Sequence, residues 1–140
     1  MKKIAVVFWS GTGNTEAMAE AVAKGARGAG AIVELFGPAE FAAADVARFD
    51  AIAFGCPAMG SEMLEDTEFE PMFEGCKPAL SGKTIALFGS YGWGDGEWMR
   101  NWEEDAKAAG AELAAEGLTV NEAPDDDAIA KCKALGAAIA

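Results

Sequence analysis

Ser10, Gly11, Thr12, Gly13, Asn14 and Thr15 place three hydroxyls, an amide and two glycines in six consecutive positions, with no charged group among them. An apolar run precedes them, and a segment rich in helix formers follows. A glycine-rich turn from a strand into a helix aims free backbone N–H groups outward, and the helix dipole adds about half a positive charge. The chemistry on offer is anion binding by neutral donors; the alternative is a turn whose hydroxyls only cap the helix. Phosphoryl transfer needs a lysine against the developing charge, and none lies between Lys3 and Lys24. A dinucleotide fingerprint begins at Gly11 and Gly13 but meets Glu16 in place of its third glycine, where a carboxylate repels a pyrophosphate. A terminal phosphate that merely anchors a cofactor undergoes no chemistry, so neutral donors suffice for it.

Residues 55–62 and 89–98 also follow apolar runs and carry glycines beside chemically pointed side chains. In the second stretch Ser90 and Tyr91 lead to Gly92, Trp93 and Gly94; with glycine on both sides, Trp93 is read as an exposed stacking face. Trp98 opens a helical segment and is read as core. In the first stretch Pro57 and Ala58 precede Met59, whose thioether suits the opposite face of a flat ring. Gly60 accepts φ > 0 without steric cost. Ser61 follows, and Glu62 offers an acceptor to a ring imide N–H. A flat, mostly apolar ring and a monoester phosphate together describe FMN.

Two other chemistries fail on the residues. A phosphoacceptor domain needs an acidic pair after the first strand and an aspartate ending the third; Trp9, Ser10, Gly55 and Cys56 stand there. A cysteine phosphatase needs a thiolate and an arginine in one loop, and no arginine lies between Arg48 and Arg100. Cys56 is read as a small apolar filler.

These loops need a scaffold that brings them together. Apolar runs at 2–9, 31–36, 50–55, 83–90 and 116–122 read as strands, and segments at 15–27, 39–49, 66–76, 97–109 and 124–139 as helices. Strands apolar on both faces, alternating with helices, form a parallel sheet covered on both sides. That is a doubly wound α/β fold of about five strands, three-layer α/β/α, in one domain spanning 1–140. Its ligands bind at the carboxyl ends of the strands, where the three loops lie.

Composition narrows the partners. Of 140 residues 51% are hydrophobic, enough for one compact core. Twenty-three acids against 11 bases give net charge −12, which repels nucleic acid and anionic membranes and attracts a basic partner. No apolar run approaches the ~20 residues of a membrane span, and no signal-peptide pattern opens the chain, so a cytoplasmic protein is expected. Three cysteines at unrelated spacings and no histidine argue for reduced thiols and against structural zinc.

The segments at 8–16, 55–62, 69–74 and 86–104 resemble flavodoxins of the short-chain clostridial type, over nearly the whole chain in order. The resemblance implies one noncovalent FMN, strand order 2-1-3-4-5 and an uninterrupted fifth strand. It implies a phosphate loop at residues 10–15, a ring enclosed by Met59 and Trp93, and Glu62 as the acceptor for ring N3. It further implies a peptide from Gly60 to Ser61 that turns over on reduction, and backbone groups of residues 90–94 along the pyrimidine side. Pro57 stands where some relatives have a hydroxyl residue and lacks an N–H; Ser61 replaces a more common Asp or Asn.

The expected function is a low-potential one-electron carrier shuttling between semiquinone and hydroquinone, a monomer that serves redox enzymes docking by a basic face, and not itself an enzyme. A small flavin reductase would need a nicotinamide pocket, for which 140 residues leave no insertion. Between Arg48 and Lys77 there are seven acids and no base, and Glu62, Glu65, Asp66, Glu68 and Glu70 follow the ring loop. These either cap a helix through its dipole or form a field that lowers the potential and steers a basic partner.

Overall fold

The computed structural model describes all 140 residues. Strands β1 (Lys3–Phe8), β2 (Ile32–Phe36), β3 (Ala51–Gly55), β4 (Thr84–Tyr91), β5 (Glu112–Leu113) and β6 (Leu118–Asn121) make one sheet, all pairs parallel. Its order is β2-β1-β3-β4, with β5 and β6 both pairing β4. The central strands are buried on both faces, which is why they read as unbroken apolar runs. No helix is long and apolar enough to cross a membrane.

Alternate side chains of each strand feed two separate cores. Ile4, Val6, Ala53 and Phe88 pack with α1 (Asn14–Gly28) and α5 (Asp126–Ile139). Val7, Ile52, Phe54 and Leu87 face α2 (Ala43–Val46), α3 (Phe69–Cys76) and α4 (Glu97–Ala108), where Trp102 meets Phe69 and Phe73 edge to face at 5.5 and 5.7 Å. α1 follows its expected four-residue stripe, with Met18, Val22 and Ala26 fully buried, and ends at Gly30, whose φ of +98° only glycine adopts freely.

Three elements differ from the sequence reading, each for a local reason. The segment at 39–49 is not one helix: Pro38–Glu40 is a single 3-10 turn, and only Ala43–Val46 is helical. Glu40 and Asp45 turn back to accept from the Gly37 and Ala42 amides, starting two short turns, while Phe41 and Phe49 leave the helical path to join an aromatic cluster with Phe36. The segment at 66–76 becomes helical only at Phe69, because the Glu65 carboxylate occupies the preceding amides. The fifth strand is interrupted rather than continuous. Ala114 still donates to Ile85 O, after which the chain detours around α4 and rejoins β4 at Leu118. Gly117 sits on that detour, where a Cβ would lie 2.4 Å from Met99 Sδ.

Helices α1 and α5 approach so closely that each needs a glycine. A Cβ on Gly25 would lie 2.0 Å from Lys133 O, and one on Gly136 would lie 1.9 Å from Val22 O. Gly136→Ala is therefore expected to destabilise the protein by roughly 1–3 kcal/mol, since the backbones must separate. Gly28→Ala, at the open end of α1 with nothing within 4 Å of the new methyl, should be neutral or stabilising by up to about 1 kcal/mol. Urea unfolding of both variants checks the contrast.

Candidate functional site

The carboxyl ends of β1, β3 and β4 open on a cavity of about 250 Å³. Ser10, Gly11, Thr12, Asn14 and Thr15 line it from the first loop, Pro57, Ala58 and Met59 from the second, and Ser90, Tyr91 and Gly92 from the third. The convergence expected from sequence is thus present at this cavity. Ser10 Oγ accepts from the Gly13 and Glu16 amides, so it does cap α1, and its own O–H remains to be donated. Gly13 lies behind the wall as the N-cap, at φ +95°. The buried Thr15 hydroxyl sits 3.2 Å from Ser90 Oγ and ties the first loop to β4. Pro57 lines the cavity without an N–H, and the Ala58 amide is already spent on Ser90 O at 3.0 Å. The second loop thus offers no free amide at Pro57 or Ala58.

Gly60, Ser61, Glu62, Trp93 and Gly94 lie outside the cavity lining. Met59 and Met63 exchange both backbone hydrogen bonds, at 2.8 and 3.0 Å, and close a hairpin with Gly60 and Ser61 exposed at its tip. Gly60 is at φ +47° and Glu62 at φ +55°, the latter an uncommon conformation for a side chain of its length. The Glu62 carboxylate rests on Gly94, where a Cβ would come within 2.6 Å of Oε1. Gly94, at φ +90°, thus makes room for the second loop to touch the third.

The residues fit FMN on two observations. Glu62 Oε1 is buried with no hydrogen-bond partner, a costly state for a carboxylate oxygen that an imide N–H would relieve. The cavity is smaller than the ~300–1,000 Å³ that enclose a ligand whole, so it suits a ribityl phosphate tail. Trp93 on the third loop is 65% exposed and Met59 on the second 37% exposed, apolar faces available to a ring. Trp98 is core, as expected, and donates to Cys56 O at 3.2 Å. All three cysteines are free and buried, and burial pushes the Cys56 thiol far above its ordinary pKa. No cluster of three or more metal-ligating side chains is present.

The sequence reading missed two wall residues, Trp9 and Glu122. Both directly follow strands that end at the site, and that position was their only signal. The acidic run is also not one patch. Glu65 is 4% exposed and turned inward, accepting from the amides of Thr67, Glu68 and Phe69 and from the Thr67 hydroxyl. Glu68 accepts from Trp9 Nε1 at 3.0 Å. Asp66 remains exposed.

The sequence model of the flavodoxin family matches residues 6–136. The chain belongs to the flavodoxin family. It is 48% identical to the flavodoxin of Megasphaera elsdenii over 98% of both chains, and 46% identical to that of Clostridium beijerinckii over 86% of this chain and 88% of the relative. The solution structure of the two-electron reduced Megasphaera elsdenii flavodoxin superposes with a TM-score of 0.89 at 46% identity, covering 97% of each chain. Flavodoxins are FMN-carrying electron carriers, and FMN is the cofactor that family and site share.

Burial works against the Glu65 carboxylate, but hydrogen bonds from Thr67, Phe69 and Glu68 outweigh it and hold its pKa below the ordinary value. Such a group stabilises the fold fully above the unfolded carboxylate pKa of about 4.3, and that contribution is lost as pH falls through the lower folded value. Glu65→Gln should destabilise the protein by about 1–2 kcal/mol at pH 7. The gap from wild type should close below pH ~4, as urea unfolding across pH will show.

Proposed function

We propose that residues 10–15 hold the FMN phosphate, that Met59 and Trp93 enclose the ring, and that Glu62 accepts from its imide N–H. The observation carrying this reading is the meeting of three loops at one cavity, with an unpartnered carboxylate oxygen on the second of those loops. Bound FMN supplies one-electron redox chemistry; the chain binds it, orients it and sets its electrostatic surroundings. Ser10, Thr12, Asn14 and Thr15 donate to phosphate from neutral groups. Gly60 and Ser61, at the tip of a hairpin with two positive-φ residues, form the peptide next to the ring, and backbone groups of residues 90–94 border its polar side.

The protein is a low-potential carrier that acts as a cytoplasmic monomer, with no substrate of its own. Redox enzymes dock on the ring edge through a basic face, drawn by Asp66, Glu68 and Glu70. Glu65 is turned onto the amides at the start of α3 and takes no part. Oxidation of NADPH by the isolated protein would contradict the carrier reading in favour of a flavin reductase.

Two measurements test this. Thr12→Asp should weaken FMN by several kcal/mol and riboflavin far less, because only FMN carries the phosphate that the new charge repels. Equal losses would remove this loop from the phosphate. Asp66→Asn with Glu70→Gln should flatten the ionic-strength dependence of electron transfer to a basic partner. An unchanged slope in stopped-flow rates would place docking elsewhere.

A further inference from the structure

Trp9 is the last residue before the phosphate loop, and three contacts fix it. Its amide donates to Gly55 O at 3.1 Å, holding it to the end of β3. Its indole lies against Gly11, where a Cβ would fall 2.9 Å from Cη2 and 3.2 Å from Cζ3. Its Nε1–H donates to Glu68 Oε2 at 3.0 Å, across 59 residues of sequence. Glu68 is in turn the N-cap position of α3, with its amide held by Glu65 Oε1 at 2.8 Å.

Gly11 therefore has a reason apart from the anion. Its φ is not positive, and what a side chain there would meet is the Trp9 ring. Gly13 is the opposite case, with φ +95° and open space around it. The first glycine of the loop accommodates Trp9; the second turns the chain into α1.

We infer that Trp9 and Glu68 form a latch that holds residues 10–12 in their phosphate-binding shape and ties them to the start of α3, making Trp9 a positioning residue for the anion. Ser10 is held by its bonds to α1, whereas Gly11 is exposed and rests on the indole, with Thr12 next to it in the chain. A loop already shaped before its ligand arrives loses less conformational entropy on binding, so the latch acts on affinity for the phosphate. The other end of the latch reaches the segment that leads back to the Met59–Met63 hairpin. Glu65, which holds the start of α3, also donates its amide to Cys56 Sγ at 3.3 Å. The tail and ring ends of the cofactor site are thus joined by side chains as well as by the sheet.

This inference rests on reading residues 10–15 as the phosphate loop, and the test separates the two. The quantity is phosphate preference: the riboflavin dissociation constant divided by the FMN dissociation constant, measured by flavin fluorescence quenching on flavin-free protein. Trp9→Phe keeps an aromatic ring and removes the N–H; it should lower the preference by about tenfold, with riboflavin affinity little changed. Glu68→Ala should lower it in the same direction. Glu68→Gln keeps an acceptor oxygen without the charge and should retain the wild-type preference to within about threefold. If Glu68 acts only as a charge repelling phosphate, both Glu68 variants raise the preference alike, and the latch is overturned.

A double-mutant cycle gives a second arm. Gly11→Ala should reduce FMN affinity in the wild type but cost much less in a Trp9→Ala background, where the clash is absent. Equal costs in both backgrounds would overturn the contact. Should Trp9→Phe fail to fold, as judged by its melting without flavin, the exposed Glu68 pair decides the matter. A wild-type protein showing no preference for FMN over riboflavin would instead overturn the phosphate-loop reading itself.

Discussion

The close approach of β3 and β4 at Cys56 is the contact on which the site depends. A Cβ on Gly89 would lie 2.1 Å from Cys56 O, and one on Gly55 would lie 2.3 Å from the Phe88 ring. With glycine at both positions the Cys56 amide reaches Phe88 O at 3.0 Å, and its carbonyl accepts from Trp98 Nε1. The thiol accepts from the Glu65 amide, so one small buried residue joins β3, β4, α4 and the approach to α3. Its raised pKa belongs with this role: a thiol so enclosed stays protonated and unreactive, and its sulfur serves as a packing atom and weak acceptor. Cys56→Ser would place a stronger donor and acceptor in an apolar setting, and a larger residue would push two loops of the site apart.

From that junction the loops acquire their positions in sequence. β3 delivers Pro57 and Ala58 to the cavity, and Ala58 continues the ladder by bonding Ser90 O. β4 delivers Ser90, whose hydroxyl meets Thr15, so the first helix is registered against the fourth strand by a buried polar contact. Gly94 then gives way to Glu62. Each loop is thereby fixed to another by a specific polar or close backbone contact.

Much of this was legible in the chain, and the reason is periodicity. Strands buried on both faces must be apolar at every position, and a helix against them must repeat at three to four residues; neither needs knowledge of a partner. The loop at 10–15 was legible because its glycines and hydroxyls act through their own backbone. What escaped depends on residues distant in sequence. Glu65 looks like one acid among five until the fold shows its carboxylate turned onto the amides at the start of α3. Trp9 looks like the end of an apolar strand until Glu68 appears beside it. The break before β6 follows from where Met99 of α4 stands, and nothing within residues 114–117 announces it. The short turns at 38–46 are a nearer case: Glu40 and Asp45 carry the capping signal, but the aromatic cluster that draws Phe41 and Phe49 inward is assembled by the tertiary fold.

The placement of charge follows from the parallel sheet and bears on what the site can do. Lys3, Arg48 and Lys83 gather around Phe49 at the amino ends of the strands, with the two cation–ring distances 5.8 Å for Lys3 and 5.3 Å for Arg48, and Lys83 donating to Phe49 O. Elsewhere, Lys77 is paired with Glu74 and Asp105 and Arg100 with Asp95. The first loop therefore offers hydroxyls, amides and a helix N-terminus, all of them dipoles whose influence falls away within a turn. Under the proposed placement of FMN, such donors hold a dianion while adding no net positive charge, so they leave the field of the protein's excess acids undiminished. A lysine in the loop would bind phosphate more tightly, yet it would offset part of that field and make the reduced cofactor a weaker donor. Anchoring by neutral groups would let one small domain retain its cofactor without weakening it as a reductant.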